Sequence, residues 1–125
     1  MVYNSFSPIP TPTISKQEYF PSLVFDSSLL ACKVVDLPAI KQFPTTPTDE
    51  WENYRSYGLG SADAYLLVYD VTTPSSFRLL QNIRDQIAMS RRLSQVSLVV
   101  AANKVDLVND EPAKGGDKEI KNNKE

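Results

Sequence analysis

The chain has no histidine and a single cysteine, Cys32. Those two shortages exclude an internal disulfide, a Cys/His metal site and any catalytic triad built on imidazole. They fit a reducing compartment. Glycine occurs four times, at 58, 60, 115 and 116, and none of these precedes a Lys-Ser or Lys-Thr pair. The chain therefore contains no G-x-x-x-x-G-K-[ST] loop, whose backbone N–H groups must approach phosphates without side chains in the way. No apolar run nears the ~18 residues of a membrane span. The opening MVYNSFSPIP has neither the charged nor the apolar region of a signal peptide. The ending NNKE offers no cysteine for a prenyl group, so no membrane anchor is expected in this chain. A net charge of -2 supplies no basic field for nucleic acid or an anionic bilayer. A cytoplasmic protein with no nucleic-acid partner is the expectation. What is present, 42% apolar residues in a chain of 125, suits one globular domain or part of one.

Along the chain, SPIPTPT at 7–13 carries three prolines and reads as an extended surface loop. Runs rich in Val, Leu and aromatic residues at 19–25 and 29–37, separated by Asp26-Ser27-Ser28, predict a β-hairpin. Pro38, Pro44 and Pro47 interrupt regular structure, and Thr48 is placed to cap a short helix over DEWENYRSY that ends at Gly58 or Gly60. Trp51 and Tyr54, three apart, are expected to pack that helix on the sheet. YLLVY at 65–69 is apolar without alternation, the pattern of a strand covered on both faces. Thr73 as N-cap and Pro74 at the first position then open a helix whose Phe77, Leu80, Ile83 and Ile87 form one face. The apolar run at 98–102 returns to strand, which gives a parallel crossover unit and an α/β class. Beyond Leu107 the sequence is charged and nearly without apolar residues, so 108–125 is expected to be a disordered tail.

Directly after the run at 98–102 stand Asn103, Lys104 and Asp106. In an open α/β sheet, ligands sit beyond the carboxyl ends of the strands, which is where these three fall. A carboxylate at Asp106 can accept two parallel hydrogen bonds from the ring N–H and exocyclic amine of guanine, an arrangement adenine does not offer. Asn103 would brace the loop and touch the base, and the apolar stem of Lys104 would lie along the ring. Without its context the same tetrapeptide is a polar strand-to-loop junction.

The context resembles the Ras superfamily of small GTPases. PTI at 12–14, VVDLP at 34–38, AYLLVYDVTTPSSF at 64–77 and NKVDL at 103–107 occur in that family's order and at nearly its spacing. Within it, DLPAIKQFP at 36–44, EW at 50–51, GLGSADAYLLVYD at 58–70, YNSFS at 3–7 and YFP at 19–21 are similar to the group called Ras-like protein family member 10. The resemblance implies a P-loop NTPase-like fold with a mostly parallel sheet. It is incomplete here: 1–107 matches part of a domain, without the first strand, the phosphate loop, or the C-terminal strand and helix. That first strand lies between two others in the family's sheet, so two inner edges are expected to lack a partner, and independent folding is not expected.

Site roles follow from the resemblance alone. Thr13 matches the first-switch threonine that meets magnesium and the terminal phosphate, with Thr11 a rival for the role and an ordinary turn threonine the plainer reading. Asp36 matches the aspartate that holds magnesium through water, or is simply a polar strand end. Tyr19 and Phe20 fall on the edge where effector or regulatory proteins dock, though aromatic residues in strands more often pack into a core. Where many relatives place a water-orienting glutamine, this chain has Ile40, which can neither donate to nor accept from water. The implied function is GTP binding and hydrolysis in signal transduction, with GTP or GDP and Mg²⁺ bound. This chain is expected to bind nucleotide weakly or not at all. The alternative is a non-catalytic interaction module, or a truncated isoform that engages switch-type partners.

Overall fold

A computed structural model describes residues 7–55 and 57–108; all of the expected 108–125 tail except Val108, and the YNSF of 3–6, lie outside the described residues. Four short strands come first: β1 (Gln17–Tyr19), β2 (Ser22–Phe25), β3 (Ser28–Ala31) and β4 (Val34–Asp36). They form one antiparallel ribbon in two segments, β2 with β3 and β1 with β4. The register is the same on both sides of the break, since Tyr19 faces Val34 and Ser22 faces Ala31. Pro21 explains the break. The Cys32 N–H donates to the Pro21 carbonyl at 2.9 Å, but proline has no N–H to return the bond. At the tip, Asp26 and Ser27 take φ of 46° and 62°, the left-handed pair of a two-residue turn whose twist matches the flanking strands. Ser28, expected in the turn, already belongs to β3.

The short helix α1 (Pro47–Asn53) begins earlier than expected. Thr46, not Thr48, is its cap: the Asp49 N–H donates to Thr46 Oγ1 at 3.1 Å, and Pro47 takes the first helical position. It ends at Tyr54, before either glycine. Gly58, at φ 72°, then opens a single 3-10 turn (Leu59–Ser61). Two aromatic expectations fail. Trp51 is 64% exposed, with the Arg55 guanidinium 4.9 Å from its ring centre, because α1 meets the 3-10 turn rather than the sheet. Phe20 is also exposed, since the ribbon carries no packed layer among the described residues. Tyr54 and Tyr57 reach the core instead.

β5 (Ala64–Asp70), α2 (Pro74–Ser90) and β6 (Ser97–Asn103) form the expected parallel crossover, with Leu67 opposite Val100 and Asp70 opposite Asn103. Leu80, Ile83 and Ile87 of α2 are buried, as their spacing predicts. Phe77 stays exposed, its ring inclined at 59° to that of Tyr69 with centroids 5.0 Å apart. The core joins Phe43, Leu59, Tyr65, Ile83, Ile87 and Val96, with Leu37 and Ile40 packed against it. It therefore sits at the amino ends of β5 and β6 and leaves their carboxyl ends open. Arg91, the cap residue of α2, closes this region: its guanidinium donates to the Gly60 carbonyl, to Ala62 O at 3.1 Å and to the Tyr65 hydroxyl at 3.0 Å. The Tyr65 hydroxyl in turn donates to Leu59 O.

The β5–β6 pair is covered on one face only. Leu66 and Val99, opposite one another, are 62% and 56% exposed; α2 lies on the other side, and no second layer covers this face among the described residues. Nor do the described strands join in one sheet. They lie in three two-stranded sheets, with parallel pairing confined to β5–β6. The ribbon and the crossover unit thus share no strand pairing, which is the separation that the missing neighbour predicts.

Candidate functional site

Two polar clusters hold the residues singled out in the sequence. The first lies at the carboxyl ends of β5 and β6. The Val71 N–H donates to Asn103 O at 3.1 Å, stitching the two strand ends together. Lys104 follows in the left-handed region, at φ 62°, and turns the chain into a 3-10 segment (Val105–Leu107) closed by Leu107 N–H to Lys104 O at 3.1 Å. Asn103, Lys104 and Asp106 are all exposed on this turn.

The reversal at Lys104 carries its side chain back to β5, where the ammonium donates to Asp70 Oδ2 at 2.6 Å. The other carboxylate oxygen, Oδ1, accepts from the Thr72 peptide N–H at 2.8 Å and from the Thr72 hydroxyl at 2.6 Å. The Lys104 ammonium first, and the Thr72 donors second, hold the Asp70 carboxyl down at about 2. Ser76 adds a brace, its Oγ accepting the Asp70 N–H at 3.1 Å and lying 2.7 Å from Thr73 O. The expected Thr73 side-chain cap of α2 does not form; the Thr73 carbonyl accepts from the Ser76 N–H at 3.0 Å and from the Ser76 hydroxyl.

Sequence reasoning gave Asp70 and Thr72 no role. The signal was there: aligning the two apolar runs as a parallel pair puts Asp70 beside Asn103.

The second cluster is on the ribbon. Thr13, half-buried in the extended segment before β1, donates its hydroxyl to Asp36 Oδ2 at 3.0 Å. Of the two candidate threonines, Thr13 is the one that meets Asp36. The pair offers one hydroxyl and one carboxylate, hard oxygen donors. No group of three or more metal-ligating side chains occurs among the described residues. Ile40 is half-buried and packs against the core. No helix among the described residues is long and apolar enough to cross a membrane.

The chain spans about half the length of the curated relatives it matches. It is 34% identical over 108 residues to human (Homo sapiens) Ras-like protein family member 10B, which covers 85% of this chain and 53% of that protein. To human Ras-like protein family member 10A it is 29% identical over 99 residues, 76% of this chain and 48% of the relative. The Ras family model matches residues 1–124. With β5–α2–β6 forming the expected parallel unit and the Ras family model matching nearly the whole chain, the chain belongs to the Ras family of small GTPases.

Proposed function

We propose that this chain carries the base-selecting part of a Ras-like guanine-nucleotide site, joined to the ribbon that supplies its magnesium-facing residues. The observation that supports it most is the placement of Asn103 at the exposed end of β6 and of Lys104 and Asp106 on the turn that follows, with Lys104 held by Asp70. Asp106 selects guanine by accepting from its ring N–H and amine. Asn103 braces the turn and contacts the base, and the Lys104 methylenes lie along the ring.

Members of the Ras family bind GTP or GDP with Mg²⁺. Thr13 and Asp36 suit that ion, which keeps several waters and takes few protein oxygens. When bound it neutralises phosphate charge. Neither the sequence nor the described residues contain a glycine-rich phosphate cradle, so affinity falls on the base contacts and is weak. Hydrolysis is slow in this reading, because Ile40 is packed on the core and has no group with which to orient water.

A second reading, an interaction module that binds switch-type partners without turnover, draws on the same two observations of Ile40 and the absent cradle.

Calorimetric titration of the folded chain with GTP, GDP and ATP in magnesium separates them. Heats for the guanine nucleotides with a Kd above about 10 μM, and none for ATP, are expected. Equal heats for ATP and GDP would sink the guanine reading, and a cooperative fold with no nucleotide heat would favour the interaction module.

A further inference from the structure

Lysine presents a compact charge on a flexible four-carbon stem, so an unrestrained lysine at a strand end is as ready to meet a phosphate as a ring. Here the stem is restrained at both ends. Its Cα is fixed by the left-handed turn that closes β6, and its ammonium is fixed 2.6 Å from Asp70 Oδ2 at the end of β5. The methylenes therefore bridge the carboxyl ends of the two strands.

The anchor is itself held by several partners. Both Asp70 oxygens are engaged, Oδ2 by Lys104 and Oδ1 by two Thr72 donors, and the Asp70 backbone N–H is held by Ser76. The other groups at these strand ends, Asn103 and Asp106, bring no second cation. The ammonium thus faces a carboxylate while its side chain stays about half exposed, and the Lys104–Asp70 pair presents a strip of methylenes with its own charge cancelled. A strip of that kind suits a planar, uncharged ring and disfavours an anion.

We infer that Asp70 is a positioning residue for Lys104, keeping the ammonium off the phosphates and laying its methylenes where the purine ring sits. The inference rests on the guanine-binding reading and deepens it by assigning the residue that orients the base.

The test uses the whole chain, with guanosine 5′-monophosphate and adenosine 5′-monophosphate as probes. Asp70→Asn preserves shape and an amide oxygen for Thr72 while removing the charge that holds Lys104. In ¹⁵N spectra of lysine ammonium groups, the Lys104 signal is expected to be held in the wild type and to shift or broaden in D70N. By saturation-transfer NMR, the preference for the guanosine probe is expected to fall about fivefold in D70N. D70E, which restores the charge, should recover part of that preference, as a purely structural role would not. If D70N does not fold, Thr72→Val serves: it leaves both charges and removes one of the two Thr72 donors that orient the carboxylate, and it should lower the preference in the same direction.

An unchanged guanosine preference in D70N or T72V, with the Lys104 signal shifted, overturns the inference and leaves the guanine-binding reading standing. No preference in the wild type overturns both.

Discussion

At the scale of single residues, the ionisable groups that matter are those whose partners are fixed by the backbone. Asp70 is held down at about 2, below its ordinary 3.8, by Lys104 and then Thr72. A carboxyl depressed in the folded state binds fewer protons there than in the unfolded chain between those two values. Its stabilisation is therefore complete above about pH 4 and is lost as pH falls toward 2. Acid unfolding followed by circular dichroism should show D70N with a flatter pH dependence than the wild type in that window. Tyr65 shifts the other way. Burial raises its hydroxyl above 10, against the opposing pull of Arg91. The sign reverses with it: the contribution is present below pH 10 and is lost as pH rises through the folded value. Tyr65→Phe should remove that alkaline slope, read from urea midpoints in alkaline buffers. Arg91 binds two carbonyls and this hydroxyl from the end of a different element. Arg91→Met should cost about 1–3 kcal/mol in urea unfolding, because acceptors shaped around a guanidinium lose their donors.

At the scale of elements, the turn and the long helix respond in opposite directions. Asp26 and Ser27 both sit at positive φ, where a side chain is strained and glycine is not. Ser27→Gly should stabilise the ribbon by about 0.5–1 kcal/mol, seen as slower exchange of the Cys32 amide, which bonds across the ribbon to Pro21. Ile87 is 1% exposed, and Ile87→Ala should cost about 2–5 kcal/mol, a large share of the ~5–15 kcal/mol of a small domain. Loss of the cooperative melt in circular dichroism is the readout.

The elements also mark what the sequence made legible. Strand, helix and strand from 64 to 103 were readable because local period and burial agree there, with Leu80, Ile83 and Ile87 on the face that packs. The α1 boundary was not, because Thr46 and Thr48 flank the same proline and only the Asp49 N–H chooses between them. Trp51 was misread because three-residue spacing says two side chains share a face, not which face is covered. Asp70 was passed over because its partner is remote in sequence and becomes visible only through the strand register.

At the scale of the molecule, the core lies at one end of the crossover unit and apolar surface remains open at its side. Leu66, Val68 and Val99 share the uncovered face of β5–β6, a contiguous patch of the kind that promotes association. Leu66→Lys should lower self-association in sedimentation experiments while leaving the melting midpoint within about 0.5 kcal/mol of the wild type, since no packed contact is lost. A large fall in stability would mean that another part of the chain covers this face.

The ribbon has a mechanical character of its own. Its two halves keep one register across Pro21, yet share only the single bond from Cys32 at the break. Sliding one half by a residue would require the other to slide with it, whereas folding at the proline breaks almost nothing. Pro21 thus concentrates the ribbon's missing hydrogen bond at a single crease, where a bend would cost the fewest bonds and leave the register of residues 22–31 and of the Thr13–Asp36 end intact.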